Sequence, residues 1–388
     1  MKEKIDAALR RATARGDVAG ANVLVLKNGV EQVYCEDGFR DLEHGIKMTR
    51  DTIFRMYSMT KPVTAAAVML LAAQGKLDLG GWLGEYLPCF WNARVYQEGG
   101  SVPAKTPIMV RDLMNMTSGI VYPDDTPWGR QSGQVFGELA DRLYGNDPMT
   151  TREFAQKISA AELAFEPGAR FCYGASADVL GALVEEISGM SFRDFLNKNF
   201  FEPLGMEDTD FYVPKEKRER FARVYDYSEK GLAEFRTDHL GLRYERDVIP
   251  AFQSGGAGLC STLDDYSKFA QMLLDDGKWK GKQLLPAAAV RYMTHGGLNG
   301  NQKPYLWQGW VWMGGYTYGS LMRVCEDEAG TMLFSGKGEY GWDGWLGTFF
   351  SNEPMYGITM LFGTQQVGIG QAGTLIRKIK NIVMSELA

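Results

Sequence analysis

Histidine is scarce in this 388-residue chain: His44, His239 and His295 are its three copies, and none pairs with another at metal-ligand spacing. A histidine-built metal centre is therefore not expected. A serine hydrolase of the histidine-relay type is not expected either, because the nearest approach to its G-x-S-x-G elbow, GASAD at 174–178, ends in Asp178. Cysteine is nearly as sparse. Cys35, Cys89, Cys172, Cys260 and Cys325 are odd in number and lack C-x-x-C spacing, so they read as buried thiols rather than a disulfide framework or a zinc site. Long apolar runs are missing. No stretch approaches the roughly 18 uninterrupted apolar residues of a membrane span, and the opening MKEKIDAALRRATARGDVAG is charged and amphipathic, unlike a secretory leader. A soluble, cytoplasmic protein is the expectation. Positive charge is not in excess, with 42 Lys and Arg against 48 Asp and Glu, so nothing in the balance suits a nucleic-acid partner.

What the chain does have is apolar material, 45% hydrophobic and 12% aromatic, enough to bury a large core. Its length exceeds the usual single-core size, which predicts one large domain with an insertion or two closely packed parts. Residues 3–15 carry the periodicity of an amphipathic helix. ANVLVLKNGVEQVYCEDGF then alternates around Asn28-Gly29, a strong hairpin signal. The far end mirrors it: TMLFSGKGEYGWDGWLGTFFSNEP and YGITMLFGT read as antiparallel strands, and Leu375, Ile379, Ile382 and Val383 share one face of a last helix. Between these ends, residues 62–75, 151–161, 176–189, 191–200 and 263–276 have helical periodicity, while PDDTPWGRQSGQ and GGLNGNQKP read as surface loops. The predicted class is α+β: an antiparallel sheet from both termini (1–57 and 300–388) flanked by helices, with a large, mostly helical insertion (58–299) and the active site between the two.

Two motifs compete for chemistry. GKGEYG at 336–341 matches G-x-G-x-x-G, but a strand follows it where a phosphate site needs a helix. Ser58-Met59-Thr60-Lys61 is the one S-x-x-K in the chain. A serine before a helix is usually a cap. At i and i+3, however, a lysine ammonium can reach a serine hydroxyl, and the helix N-terminus offers free N–H groups and partial positive charge to a developing oxyanion. That is a sufficient nucleophile site without histidine.

FRMYSMTKPVTAAAVMLLAAQGKLDL, VRDLMNMTSGI, FEPGARFCYGASADVLGALVEEISGMSFRDFL and GGAGLCSTLDDYSKFAQMLLDDG resemble, in order, the landmarks of the serine β-lactamase superfamily. The resemblance runs from about residue 8 to about 380 and is nearest to the class C-like branch that holds the S-x-x-K (family VIII) carboxylesterases. It implies a β-lactamase/transpeptidase-like fold and makes Tyr173 in CYGAS the third member of the site, with Lys61 stabilising a phenolate that takes the Ser58 proton. Tyr144-Gly145-Asn146 is a better-formed Y-x-N, yet it runs into Asp147-Pro148 and reads as a turn. The resemblance further implies an oxyanion hole from the amides of Ser58 and Trp345, and substrate contacts from Trp342-Asp343-Gly344, a W-x-G in place of the lactamase K-T-G, and from Ala175. Ala175 stands where lactamases carry an asparagine, and no K-T-G lysine exists, so the contacts for an anionic, amide-bearing lactam are lost. An ester needs neither.

The expected activity is thus a carboxylesterase acting through an acyl-enzyme on Ser58 on short- to medium-chain esters. The alternatives are a β-lactamase, a D-amino-acid peptidase, an acyltransferase or a penicillin-recognising binding module. The substrate is a small-molecule ester or amide, and no metal, nucleotide or redox cofactor is implied. Trp307, Trp310, Trp312, Trp342 and Trp345 are candidates for an apolar pocket.

Overall fold

The computed structural model describes residues 1–228, 231–236, 238–368 and 370–388. Helix α1 (Lys2–Ala14) leads into strand β1 (Gly20–Lys27), which pairs with β2 (Val30–Asp41). Asn28 and Gly29 between them take φ of 51° and 75°, the left-handed pair that a two-residue hairpin turn demands. A two-residue β3 (Ile46–Lys47) closes this edge. The other strands come from the far end of the chain: β4 (Tyr316–Gly319), β5 (Met322–Cys325), β6 (Tyr340–Asp343), β7 (Phe349–Glu353) and β8 (Ile358–Gly363). The sheet runs β4-β5-β6-β7-β8-β1-β2-β3, antiparallel throughout, with the two termini meeting where Val23 faces Phe362 and Val25 faces Met360.

Because successive side chains point to opposite faces, each strand serves two cores. Val23 and Val25, with Ile358, Met360 and Phe362, face α1 and the terminal helix α7 (Gly370–Leu387), whose Leu375, Ile379 and Val383 complete one apolar cluster. Leu24, Phe350 and Leu361 point the other way, into the larger core. There α6 (Leu263–Leu274) lies against the sheet: Asn352 donates to the Ala270 carbonyl at 2.8 Å. The fold is the predicted α+β β-lactamase/transpeptidase-like arrangement.

The helical region follows the sequence periodicity in α2 (Thr60–Ala73), α4 (Thr151–Ile158) and α5 (Ser176–Ser188). Residues 192–196 run on through a π turn to Leu204 before Gly205 ends the helix. PDDTPWGRQSGQ departs from its reading as a loop, since α3 (Pro127–Asp141) begins inside it. Thr126 caps that helix by accepting from the Gly129 amide, with proline in its first turn, a start signal. Three glycines spaced four apart masked it by lowering helix propensity. Of the cysteines, Cys35, Cys260 and Cys325 are buried as expected, whereas Cys89 and Cys172 are half-buried; all five are free thiols.

Candidate active site

Ser58 does not cap a helix. It sits inside a short 3-10 turn, Tyr57–Met59, that feeds directly into α2, and Met59 is the capping position, with no side-chain cap bond. The residue before it, Tyr57, is a buried tyrosine at φ 43°, a left-handed conformation that costs a side-chain-bearing residue about 1–2 kcal/mol. Strain of this kind collects at functional sites, where surrounding contacts enforce it. Here the ring is held among Trp345 (centroids 5.2 Å apart), His239 (5.7 Å) and Tyr244 (5.9 Å).

One turn on, Lys61 is fully buried, and its Nζ donates to Ser58 Oγ at 3.2 Å, to the Tyr122 hydroxyl at 3.1 Å and to the Gly256 carbonyl at 2.8 Å. Among the described residues, no carboxylate bonds to the amine. Burial therefore pushes Lys61 down to about 7, with Asp178 pulling weakly the other way. Asp178, on α5, accepts from the Ser254 hydroxyl and, at 3.0 Å, from the Gly256 amide; burial raises its carboxyl against those bonds and the Lys61 charge. Its work is to hold the 254–257 segment so that the Gly256 carbonyl meets Lys61. Thr64 adds a bond to the Gly255 carbonyl at 2.7 Å.

Tyr173 arrives from the segment preceding α5. Its ring lies under the ammonium, 4.6 Å from Lys61 Nζ to the centroid, and its hydroxyl accepts from Trp342 Nε1 at 3.0 Å. Burial pushes this phenol up, opposed by hydrogen bonds from Ser58 and Trp342. Tyr122 is pushed up more strongly, again by burial. The site thus holds a weakly basic, readily neutral amine between two phenols that resist ionisation.

The backbone at Gly344 approaches Met56, two residues before Ser58. Gly344 packs so tightly against the strand entering the 3-10 turn that a Cβ there would lie 2.5 Å from the Met56 carbonyl and would strike Thr348 Oγ1. Only glycine permits that approach. Among the described residues, neither the Ser58 nor the Trp345 amide donates to another group.

Ser58 opens into a cavity of about 530 Å³ lined by Tyr122, Tyr173, His239, Trp345 and the Phe136 face of α3, where Gly133, Gly137 and Ala140 keep the wall open. His239 stacks on Trp345 at 3.8 Å with rings 12° apart, and burial lowers its imidazole to about 4.

The predicted residues divide in two. Ser58, Tyr173 and Trp345 line this cavity, with Lys61 buried beneath it and bonded to Ser58; Trp342, Asp343, Gly344 and Ala175 do not line it. Trp342 is buried behind Tyr173, stacked edge-on with Tyr318 at 4.9 Å, so it holds the phenol instead of a substrate. Asp343 turns inward to Arg323 Nη1 at 2.9 Å, part of a buried ionic network with Glu339, Lys380 and Glu353. Ala175 has no exposed surface and only begins α5. Among the other tryptophans, Trp310 packs against the Tyr173 ring at 4.9 Å, while Trp307 and Trp312 are exposed. Tyr144, the rival, is an exposed turn residue bonded to Asp238. Tyr122, Asp178 and Gly256 escaped the sequence reading. The first lies two residues beyond the recognised VRDLMNMTSGI, and the second sits inside the recognised CYGASAD.

The profile of the Beta-lactamase family matches residues 5–380. The chain belongs to that family. Relatives within reach include Protein Rv1367c of Mycobacterium tuberculosis (strain ATCC 25618 / H37Rv), 31% identical over 92% of this chain and 88% of that protein. Esterase EstB of Burkholderia gladioli is 28% identical over 98% of this chain and 94% of its own. Among solved structures, EstCE1, a hydrolase with promiscuous acyltransferase activity, superposes with a TM-score of 0.82 at 25% identity, covering 98% of both chains. In the described residues no helix is long and apolar enough to cross a membrane.

Proposed function

We propose that this chain is a serine hydrolase, a carboxylesterase that forms an acyl-enzyme on Ser58 from short- to medium-chain esters. The observation that carries the reading is the 3.2 Å contact between Ser58 Oγ and a fully buried lysine, whose amine burial lowers to about 7. An amine that is partly neutral at physiological pH is a competent base. Lys61 takes the Ser58 proton as Oγ attacks the ester carbonyl, and the amides of Ser58 and Trp345 receive the oxyanion. The carbon–oxygen bond to the alcohol then breaks. Tyr173, kept protonated by burial, gives its proton to the departing alkoxide and recovers one from the Lys61 ammonium. Water repeats the sequence in reverse to release the acid. This ordering inverts the sequence expectation, in which the tyrosine ionised first, because burial lowers the amine and raises the phenol.

Support from similarity is of the same kind: EstB is named an esterase and EstCE1 a hydrolase. The acyltransferase activity named for EstCE1 favours transfer to a second alcohol as the runner-up. A lactam or D-peptide substrate is the weaker reading, since alanine at 175 and tryptophan at 342 leave nothing to bind its amide and carboxylate. The test is hydrolysis of p-nitrophenyl acetate and butyrate beside a chromogenic cephalosporin, with intact-mass detection of a fluorophosphonate adduct. Ester turnover and one adduct on Ser58 are expected. Cephalosporin turnover without ester turnover, or no adduct, rejects the proposal.

A further inference from the structure

A second cavity, of about 360 Å³, lies beside the first. The two share Tyr57, Asp238 and Trp345 in their linings, so they adjoin at those residues. Their linings differ in kind. Around Ser58 the wall away from the catalytic groups is Pro123, Phe136, Ala140 and Leu240 with backbone glycines, an apolar surface suited to an acyl chain. The second cavity is bordered by four guanidinium groups and four carboxylates, interleaved with the rings of Tyr57, Tyr144, Tyr244, Phe235 and Trp345.

Balanced charge of this sort does not select an ion of either sign. Two of the groups, moreover, stand in ion pairs too long for a hydrogen bond. Arg223 faces Glu245 at 3.7 Å, Glu234 at 3.9 Å and Asp41 at 3.6 Å, all beyond hydrogen-bond length. Among the described residues its guanidinium makes no hydrogen bond, and neither does the Glu245 carboxylate, whose other neighbour, Arg55, stands at 3.8 Å. Arg223 and Glu245 therefore present a donor and an acceptor at a separation that a ligand hydroxyl can bridge, beside flat ring faces. Those are the demands of a polyhydroxylated ring, which offers a hydroxyl donor and acceptor at each carbon and apolar C–H faces for aromatic surfaces.

We propose that this cavity is the alcohol-side subsite and that the alcohol is a sugar or a similar polyol carrying a short acyl ester. The inference rests on the esterase reading above and narrows it. With the acyl group against the apolar wall, the leaving hydroxyl is directed past Trp345 into the polar cavity, where Arg223 and Glu245 bind its neighbouring hydroxyls. The bond broken is the ester C–O of the acylated sugar; Ser58 keeps the acyl group, and the sugar departs as the free alcohol with the proton from Tyr173.

The test compares methyl 6-O-acetyl-glucopyranoside with butyl acetate and p-nitrophenyl acetate, and separately follows saturation-transfer NMR of methyl glucopyranoside, a ligand with no ester to hydrolyse. The wild-type protein is expected to prefer the sugar ester to butyl acetate by about tenfold or more in kcat/KM. Arg223→Ala and Glu245→Gln are expected to lower the ratio of sugar-ester to p-nitrophenyl acetate kcat/KM by about tenfold, and to weaken the glucopyranoside signal. Glu245→Gln keeps the volume and guards against a folding defect in the other variant. Turnover of p-nitrophenyl acetate with no sugar preference and no glucopyranoside signal overturns the subsite while leaving the esterase reading intact. A glucopyranoside signal lost in both variants, with no ester hydrolysed, supports the subsite and overturns the esterase reading instead.

Discussion

Lys61 offers the sharpest quantitative test, because the same burial that lowers its amine, and so suits it to the proposed role of base, burdens the fold. Its amine falls from 10.5 to about 7, a gap worth about 5 kcal/mol of differential interaction between the charged and neutral forms. The sign follows from proton counting. Below about pH 7 the lysine is charged in both the folded and the unfolded chain, and the full cost of burying the charge is present. Between about 7 and 10.5 the unfolded chain holds a proton that the folded chain has released, so stability climbs with pH, and above 10.5 the cost is gone. Lys61→Met, similar in length and apolar, removes this dependence. Integrated over the window, wild type should gain about 2.5 kcal/mol relative to Lys61→Met between pH 8 and pH 10. Taking the difference between the two proteins cancels every other titration common to both. Urea unfolding at several pH values reads it, and the variant should be the more stable protein at pH 7 while losing about 10² to 10⁴ in kcat/KM. The wild-type profile of kcat/KM should rise with pH through an apparent pKa near 7. A wild-type-minus-variant difference that stays flat from pH 8 to 10, or an activity profile with no limb near neutrality, refutes the neutral-lysine argument.

Three further perturbations bear on the rest of the site. Tyr173→Phe removes the acid but keeps the ring under Lys61, so kcat for p-nitrophenyl butyrate should fall by about 10² to 10⁴ with the fold intact by circular dichroism; a fall under tenfold would assign the proton to another group, Tyr122 first. Gly344→Ala puts a methyl 2.5 Å from the Met56 carbonyl and should displace the Trp345 amide, costing about 10² to 10³ in kcat with a smaller change in KM. An unchanged kcat would remove that amide from the oxyanion hole. Arg323→Met strips Asp343 and Glu339 of their shared partner and leaves three buried carboxylates against Lys380, so the urea midpoint should drop by the equivalent of about 3–5 kcal/mol; a loss below about 1 kcal/mol would mean that the network relaxes or takes in water.

The fold was legible wherever period and turn chemistry agreed. Asn28-Gly29 announced its hairpin because two adjacent left-handed residues are expensive for almost any other pair. The paired ends of the chain were visible because both read as alternating strands, and neither could bury its face alone. The turn at Ser320-Leu321 carried no such mark, although both residues take positive φ, 48° and 62°; tertiary contacts impose that conformation, and the sequence around it shows no glycine or asparagine in the turn itself. Helix α3 hid behind its glycines for a reason that belongs to the site. Gly133 and Gly137 face the cavity beside Ser58, where larger side chains would close it, so the residues that weaken the helix signal are the ones that leave room for a substrate.

Ser58, Lys61 and Tyr173, which the sequence singled out, lie side by side, and the order of ionisation proposed for them differs from the one the sequence suggested. An S-x-x-K spacing states which atoms can meet, because i and i+3 share a helix face, and the landmark around Tyr173 supplied the third group. Which of the three ionises is a different question, decided by how much water reaches each. That depends on Asp178, on the Gly255-Gly256 turn and on Tyr122, which come from separate parts of the chain and together bury Lys61 completely. No local pattern encodes their joint effect. The same holds for the substrate contacts expected at Asp343 and Ala175: their positions along the chain were those of a binding strand and a binding turn, but Arg323 draws the one into the protein interior and the start of α5 encloses the other. The side chains that do line the two adjoining cavities, Phe136 and Leu240 in one and Arg223 and Glu245 in the other, lie outside the motifs that identified the family.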